Sequence, residues 1–247
     1  MLARLPPIIW CMPVDSPISH ALILAAGRGE RMRPLTDHTP KPLLPVKGKP
    51  LIVWHLEALA AAGVRQVVIN TAWLEEKIPA ALGDGARWGL QITYSMEGRD
   101  HGGALETAGG IKKALPLLGE AFWLVAGDIY APSFAFDASA AADFARSDAL
   151  AHLWMVPNPP YHPQGDFGIS ATGLGLDGPG PDGQRLTYSS LALVRAELCR
   201  HLPLGQRAAL GPLLFDGIRQ QRITASRFDG PWHNVGTPEQ LAELNTP

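Results

Sequence analysis

Paired glycines and a cluster of cations between positions 27 and 49 are the residues of this sequence best suited to bind a charged ligand. Gly27 and Gly29 let backbone N–H groups approach phosphate oxygens, and an arginine offers a planar pair of donors to the same oxygens. The cations of the segment are Arg28, Arg31, Arg33, Lys41, Lys47 and Lys49. Only Glu30 and Asp37 oppose them, in a chain whose formal net charge is −2. This local excess of cations predicts a loop that wraps a triphosphate.

The same segment begins like a dinucleotide-binding fingerprint, but two features disagree with that interpretation. Met32 stands where a third glycine or alanine should pack a helix against the preceding strand. A nicotinamide-binding fold also needs a helix here, and prolines prevent it. These prolines are Pro34, Pro40, Pro42, Pro45 and Pro50. The pattern therefore favours a stiff loop, in which Pro40 and Pro42 are expected to hold Lys41 in an extended backbone. A solvated loop with ordinary surface charges is the alternative interpretation.

The elements around this loop alternate between strands and helices. Apolar runs predict strands at 21–26, 66–70, 91–95, 122–126, 151–156, 186–194 and 223–228. Helical periodicity predicts helices at 51–62, 74–82, 107–118, 210–221 and 238–244. Helical connections of this length imply parallel strands, so the predicted fold class is α/β, with three layers and a mostly parallel, Rossmann-like central sheet. Gly27 and Asp128 both follow strands, at the edge where such sheets bind ligands.

Length and composition limit the class of protein. The 247 residues suit one α/β domain, placed at 21–247 after a poorly ordered N-terminal extension at 1–20. Lysine and arginine number 21 against 23 acidic residues, so a general nucleic-acid-binding protein is disfavoured. No apolar run approaches the roughly 18 residues of a membrane span. Cys11 and Cys199 are too few for a disulfide scaffold. A cytoplasmic location is expected, and neither nucleic-acid nor membrane partners are expected.

Several motifs together resemble the sugar-1-phosphate nucleotidyltransferases, and the similarity covers nearly all of residues 21–245. They include Leu24-Ala25-Ala26-Gly27-x-Gly29-x-Arg31-Met32-x-Pro34-Leu35-Thr36, Pro40-Lys41-Pro42-Leu43, Leu105-Glu106-Thr107-Ala108-Gly109-Gly110, Gly127-Asp128 and Trp232-His233-Asn234-Val235-Gly236-Thr237. The segment Asn70-x-Ala72-Trp73-Leu74 is most similar to members that transfer a uridylyl group from UTP to N-acetylmuramic acid 1-phosphate in cell-wall recycling. The resemblance implies the family's nucleotide-diphospho-sugar transferase fold and a reaction that releases pyrophosphate.

The resemblance also implies roles for residues of the loop and of the strand ends. Arg31 and Lys41 would hold the triphosphate and the leaving pyrophosphate, and with Asp128 they form the expected catalytic set. The implied nucleotide-binding positions, which act largely through backbone groups, are Ala25, Ala26, Gly27, Gly29, Asn70, Glu106, Thr107 and Gly109. No protein nucleophile is needed, because a phosphate monoester with a second pKa near ~6 is already ionised at neutral pH.

Magnesium is the implied cofactor, with Asp128 and Asn234 as its implied protein ligands. Asp128 offers a hard carboxylate oxygen, which suits Mg²⁺. The family usually has an aspartate where this sequence has Asn234, whose amide oxygen can still ligate a cation but brings no negative charge. Weaker metal binding than in relatives is therefore expected.

The acceptor sugar is specified less closely than the nucleotide. Asp166, Tyr188 and Ser189 lie where the family contacts its sugar phosphate. No lysine or arginine occurs between positions 157 and 167, where relatives often bring a lysine, and Ser190 replaces a common glycine. Two alternatives stay open. The first is the same chemistry on glucose-, mannose- or heptose-1-phosphate. The second is a non-catalytic nucleotide-sugar-binding protein. A monomer or a small homo-oligomer is expected.

Overall fold

The central element of the fold is a seven-stranded sheet, seen in a computed structural model that describes residues 17–246. Its strands are β1 (His20–Leu24), β4 (Gln66–Thr71), β5 (Gln91–Met96), β6 (Ala121–Ala126), β8 (Ala151–Val156), β11 (Thr187–Arg195) and β12 (Ile223–Arg227). Three two-stranded ribbons pair β2 (Pro45–Val46) with β3 (Lys49–Pro50), β7 (Ile129–Tyr130) with β13 (His233–Asn234), and β9 (Gly168–Ile169) with β10 (Gly175–Leu176).

The strand order is β12-β8-β11-β6-β1-β4-β5, and β11 alone runs against its neighbours within this sheet. β1 is parallel to β4 and to β6, β4 is parallel to β5, and β12 is parallel to β8. Between β8 and β11 the chain forms a loop and the β9–β10 ribbon instead of a helix, and such a connection joins antiparallel strands readily. The predicted mostly parallel sheet is therefore confirmed.

Helices cover both faces of the sheet, which confirms the three layers. The helices are α1 (Leu51–Ala61), α2 (Lys77–Leu82), α3 (Glu97–His101), α4 (Glu106–Ala114), α5 (Ala138–Arg146), α6 (Glu197–Arg200), α7 (Gly211–Arg219) and α8 (Pro238–Asn245). Side chains of β1 alternate between the layers, since Ile23 packs in the cluster of α1, α2 and α5 while Leu22 packs with α4, α6 and α7.

A third, smaller apolar cluster lies outside the sheet and joins the cation-rich loop to the last helix. Its buried members are Met32, Leu44, Val46, Leu51, Tyr130, Val235 and Leu241. Asn245 at the end of α8 adds two hydrogen bonds, because its Oδ1 accepts from Lys47 N at 2.7 Å and its Nδ2 donates to Pro45 O at 3.0 Å. The loop is thus fixed to α8 by both apolar and polar contacts.

Most element boundaries fall within two residues of the predicted ones, with a few informative differences. α2 begins at Lys77, after a turn, and α4 ends at Ala114 because Pro116 lies in a separate 3₁₀ turn. α5 was not predicted, although Asp137 caps its N-terminus by accepting from the N–H groups of Ser139 and Ala140.

The predicted N-terminal extension meets the described fold at its last few residues. β1 begins at His20, and Ile18 is only 3% exposed within the cluster around α1. Residues 1–16 of the predicted extension lie outside the described residues. Within residues 17–246, none of the helices combines the length and the apolar character needed to cross a membrane.

Two histidines make the stability of the fold depend on pH. Burial lowers the pKa of His55 and that of His152 from 6.5 to about 4. His55 Nε2 donates to Ile129 O at 2.7 Å, which raises the pKa, but burial outweighs this bond and the fold holds a neutral imidazole. The unfolded chain, whose histidines keep the ordinary pKa, binds more protons between about pH 6.5 and pH 4. The free energy of unfolding should therefore fall as the pH is lowered through this window.

We expect His55→Gln to flatten this pH dependence, because glutamine can still donate to Ile129 O but does not titrate. Denaturant titrations of both proteins at several pH values from neutral to about 4.5 measure the effect. The acid-induced loss should be smaller in the variant by up to roughly 3 kcal/mol. His201→Gln, at an exposed histidine, is the control and should behave as wild type. Identical pH dependence in His55→Gln and wild type would contradict the assignment.

Candidate active site

A cavity of about 570 Å³ lies at the carboxyl ends of β1, β4 and β6. The cation-rich loop that follows β1 forms one wall, and the start of α4 forms another. The predicted residues that line it are Ala25, Ala26, Gly27, Gly29, Arg31, Lys41, Asn70, Glu106, Thr107 and Asp128. A cavity of this size matches those that bind small ligands.

The loop keeps the shape that its prolines predict, with no α-helix between β1 and Leu51. It contains three 3₁₀ turns, at Glu30–Met32, Leu35–Asp37 and Lys41–Leu43. The predicted extended backbone at Lys41 is wrong, because Lys41 starts the third turn and Leu44 N donates to its carbonyl at 3.1 Å. Pro42 fits at this place because a residue in the first turn of a helix needs no N–H partner.

Lys41 and Asp128 form the central ion pair of the cavity. Lys41 Nζ lies 2.6 Å from Asp128 Oδ2, and Lys41 is only 8% exposed. A lysine buried to this degree requires a carboxylate partner, since an unpaired ammonium group would lose its hydration without compensation. The pair therefore places one cation and one hard oxygen donor at the same point, where β6 ends.

Neighbouring cations of the loop have other partners. Among the described residues of 27–49, Arg31 and Lys41 are the cations that line the cavity. Arg28 stacks on Trp73, with Cζ 4.5 Å from the ring centroid, and Arg33 pairs with Asp37 at 2.7 Å. The other two are bound elsewhere, by Glu57 in the case of Lys49 and by Thr246 O in the case of Lys47. Charge counting in the sequence therefore overestimated the number of cations available to a triphosphate.

A buried hydrogen-bond network fixes the floor of the cavity. Asn70, only 2% exposed, accepts from Ala25 N through Oδ1 at 2.7 Å and donates from Nδ2 to Glu97 Oε1 at 2.8 Å. Glu97 Oε2 accepts from Leu105 N at 2.7 Å. Burial raises the pKa of Glu97, while the donors from Leu105 and Asn70 oppose that shift. The Asn70 side chain thus orients backbone at the cavity, and the nucleotide-binding role implied for it stays a prediction.

Sequence reasoning missed Glu97, although a signal for it existed. The residue stands two positions after the predicted strand at 91–95, so it lies at the same sheet edge as Asp128. A carboxylate at that edge that binds neutral donors instead of a cation has no distinctive pattern in the sequence.

Gly109 is the one predicted nucleotide-binding residue that does not line the cavity. A Cβ on it would lie 2.5 Å from Gln206 O, and its N–H, like that of Ala108, donates to Ala208 O. The segment 206–208 therefore occupies the first amide groups of α4. Gly109 permits the close approach of two backbones, a role that requires glycine for space.

A second cavity, of about 390 Å³, adjoins the first and shares Leu24, Thr107 and Ala126 with it. Asp166 and Tyr188 line it, as predicted for the acceptor sugar. Asp166 is held by two contacts, from Tyr188 N at 2.8 Å and with His162 Nε2 at 3.1 Å. Burial raises the pKa of the Tyr188 hydroxyl, which has no hydrogen-bond partner within residues 17–246.

Ser189 is fully buried and does not line this cavity, and Ser190 lines it instead. The Ser189 hydroxyl accepts from Leu191 N at 3.2 Å. An irregularity in β11 between Tyr188 and Ala192 gives Ser190 a φ of +63°, the left-handed conformation that glycine adopts without strain. Ser190, which stands where the family commonly has glycine, therefore adopts a backbone conformation that favours glycine.

Asn234 lies next to the end of β6 but faces a third cavity, of about 550 Å³, with Tyr161 and Trp232. It pairs with Ile129 in the β7–β13 ribbon, and Val235 N donates to Asp128 O at 3.0 Å. Its Oδ1 is buried and has no partner among the described residues. Residues 17–246 contain no cluster of three or more His, Cys, Asp or Glu side chains that could hold a metal ion.

Comparisons with known proteins agree with this geometry. Residues 20–179 match a family model described as nucleotidyl transferase. The chain is 47% identical over 232 residues to the N-acetylmuramate alpha-1-phosphate uridylyltransferase of Neisseria meningitidis, covering 90% of this chain and 95% of the relative. A relative of the same name from Caulobacter vibrioides is 36% identical over 227 residues, covering 89% and 92%. The crystal structure of HddC from Yersinia pseudotuberculosis shares the fold, with a TM-score of 0.70, 18% identity, and 92% and 98% coverage.

The buried network predicts an unusual response to Gly110→Ala. In an ordinary helix this change stabilises by about 1 kcal/mol. Here the new Cβ would lie 2.6 Å from Glu97 Oε1 and 2.7 Å from Asn70 Nδ2, so we expect a loss of about 2 kcal/mol in the free energy of unfolding. Gly103→Ala is the matched control, because no atom lies within 4 Å of its Cβ position. Denaturant titration measures both, and a Gly110→Ala protein as stable as wild type would rule out the crowding.

Proposed function

The chain belongs to the nucleotidyl transferase family, and we propose that it transfers a uridylyl group from UTP to N-acetylmuramic acid 1-phosphate, forming UDP-N-acetylmuramic acid and pyrophosphate. Two relatives named for this activity align with about nine-tenths of the chain. One observation carries the proposal, which is that a loop-walled cavity and a second cavity share Leu24, Thr107 and Ala126. A triphosphate in the first and a sugar phosphate in the second would meet at that wall. A cytoplasmic location is part of the same proposal.

The reaction forms one P–O bond and breaks another. An ionised oxygen of the sugar phosphate attacks the α-phosphorus of UTP, and the bond from that phosphorus to the β-phosphate oxygen breaks. Because the nucleophile carries its own charge, the protein must bring two anions together and stabilise the leaving pyrophosphate. Lys41 is held by Asp128 at 2.6 Å and Arg31 lies exposed at the cavity, so both can serve as donors to phosphate oxygens.

The residues present fit a divalent cation, which we infer to be Mg²⁺. Asp128 offers a carboxylate, and Asn234, which lines the third cavity, lies beside it because Asn234 pairs with Ile129 and Val235 N donates to Asp128 O. Asn234 Oδ1 is a buried oxygen without a partner in the described residues, so it is available to a cation. Both are hard oxygen donors, and Mg²⁺ is commonly held by one or two such side chains together with substrate phosphates and water. When bound, the ion supplies positive charge that screens the phosphates from one another.

The walls of the second cavity support an acceptor with apolar substituents. Its lining is mostly apolar and includes Leu124, Phe167, Leu214 and Phe215. Such a surface suits the methyl groups of the acetamido and lactyl substituents of N-acetylmuramic acid. A plain hexose has no methyl groups to place against these side chains.

Pyrophosphate release over a panel of triphosphates and sugar 1-phosphates tests the proposal. The highest kcat/KM is expected with UTP and N-acetylmuramic acid 1-phosphate, with a UDP-sugar identified by mass. Faster turnover of glucose-, mannose- or heptose-1-phosphate would replace the proposed acceptor. Binding of a UDP-sugar without turnover of any pair would favour a nucleotide-sugar-binding protein instead.

Lys41→Ala should lower kcat by roughly 100-fold or more, the scale expected when one pre-positioned donor to developing charge is lost. Lys47→Ala is the matched control, since Lys47 belongs to the same cation-rich segment but donates to Thr246 O away from the cavity. Steady-state kinetics with varied UTP measure both. If Lys41→Ala only raises the KM by a small factor, Lys41 does not stabilise the developing charge and the assigned role is wrong.

Asn234→Asp should lower the Mg²⁺ concentration needed for half-maximal rate, because a carboxylate adds attraction to a cation at contact distance. The comparison is a Mg²⁺ titration of the initial rate for wild type and variant. His233→Gln, at the exposed neighbour on β13, controls for local disturbance of the strand and should leave the curve unchanged. Superimposable curves for wild type and Asn234→Asp would exclude Asn234 as a ligand.

A further inference from the structure

We propose that Trp73 is a positioning residue that holds the phosphate loop, defined as residues 27–43, in the shape that receives the triphosphate. The inference rests on the proposed nucleotidyl transfer. Trp73 follows β4 and lies outside the lining of the first cavity, yet it contacts that loop at two separate points.

The two contacts use different parts of the indole ring. Trp73 Nε1 donates to Thr36 O at 2.8 Å, and the face of the ring lies 4.5 Å from the Arg28 guanidinium carbon. The first contact fixes the middle of the loop, and the second fixes its start. A guanidinium over an aromatic face is attracted by the ring's negative charge density, so this contact also keeps Arg28 ordered.

Thr36 carries the contact from Trp73 towards the cavity. It is only 1% exposed, and its hydroxyl donates to Gly29 O at 2.8 Å. Gly29 has a φ of +66°, and a Cβ on it would lie 3.0 Å from Thr36 Cγ2 and 3.3 Å from Lys41 Cβ. Thr36, Gly29 and Lys41 are therefore closely packed. A displacement of Thr36 would shift Lys41, which pairs with Asp128.

The segment that presents Trp73 is itself held in a demanding conformation. Leu74 has a φ of +48°, which residues other than glycine rarely adopt, and Lys77 N donates to its carbonyl at 2.9 Å. Lys77 Nζ makes a further bond to His38 O at 2.5 Å. Strained backbone persists where the surroundings enforce it and concentrates at functional sites. The tight turn after β4 thus serves as the outer attachment of the phosphate loop.

The loop needs an outer attachment because it contains no helix or sheet ladder beyond short 3₁₀ turns. On its inner side Met32 is buried in the third apolar cluster. Without Trp73, the part of the phosphate loop around Thr36 would become ordered only when the triphosphate binds. That ordering would reduce the affinity for the triphosphate. Loss of Trp73 should therefore weaken nucleotide binding and leave the affinity for the sugar phosphate unchanged.

The test compares Trp73→Phe and Trp73→Leu with wild type. Trp73→Phe keeps a ring under Arg28 but loses the donor to Thr36 O, so the Kd for UTP in calorimetry should rise about fivefold. Trp73→Leu loses both contacts and should raise it about tenfold or more. The KM for UTP should rise in parallel, with the KM for the sugar phosphate within twofold of wild type. Thr36→Val, which removes the hydroxyl bond to Gly29 O, should resemble Trp73→Phe.

Trp88→Leu is the matched control. Trp88 is also half-buried and also lies under an arginine, with Arg87 Cζ 3.8 Å from its ring, but it is not part of the cavity or the loop. Its loss should leave the Kd for UTP unchanged. We expect UTP to change the tryptophan fluorescence of wild type and of Trp88→Leu, and to change that of Trp73→Phe less.

The outcomes separate this inference from the proposed function. If wild type binds neither UTP nor any other nucleoside triphosphate, the proposed function fails. If wild type binds UTP and Trp73→Leu binds it equally well, the inference is overturned while the function stands. Equal rises in both KM values together with a lower melting temperature would also overturn it, because that pattern indicates general destabilisation.

Discussion

One buried carboxylate holds together three of the backbone segments that border the cavity. Glu97, fully buried, accepts from Asn70 and from Leu105 N, and Asn70 in turn accepts from Ala25 N. The end of β1, the end of β4 and the approach to α4 are thereby fixed relative to one another. A buried acceptor is costly unless it is satisfied, so this network specifies one arrangement strongly. The phosphate loop starts two residues after Ala25, so its starting point depends on that frame.

The fold was largely predictable from the sequence because its strands are buried on both faces. Continuous apolar runs such as Ala21–Ala26 and Phe122–Ala126 have few other interpretations when helices lie between them. The antiparallel direction of β11 was not predictable, since strand direction depends on pairing across the sheet and not on local pattern. α5 was missed because alanines form most of its apolar face, and its buried residues are Ala141 and Phe144.

The candidate site was predictable where residue type decides chemistry and less so where packing decides it. Lys41, Arg31 and Asp128 come together in the first cavity because strand ends and the loop meet at one sheet edge. The sequence could not show that Arg28 stacks on Trp73 or that Gly109 faces Gln206 O, since both depend on distant segments. The same limit applies to Ser189 and Ser190, because a local irregularity in β11 leaves Ser189 buried and places Ser190 at the second cavity.

The third apolar cluster makes the cavity wall depend on residues that are synthesised after the strands of the sheet. Met32 and Leu44 of the cation-rich loop region are covered by Val235 and Leu241, which the ribosome adds long after the sheet strands that flank the loop. A nascent chain that has released β1, β4 and β6 therefore lacks the cover on which the loop rests. Competence to bind nucleotide should arise late in synthesis, when α8 has emerged, so an incomplete chain would not sequester triphosphate.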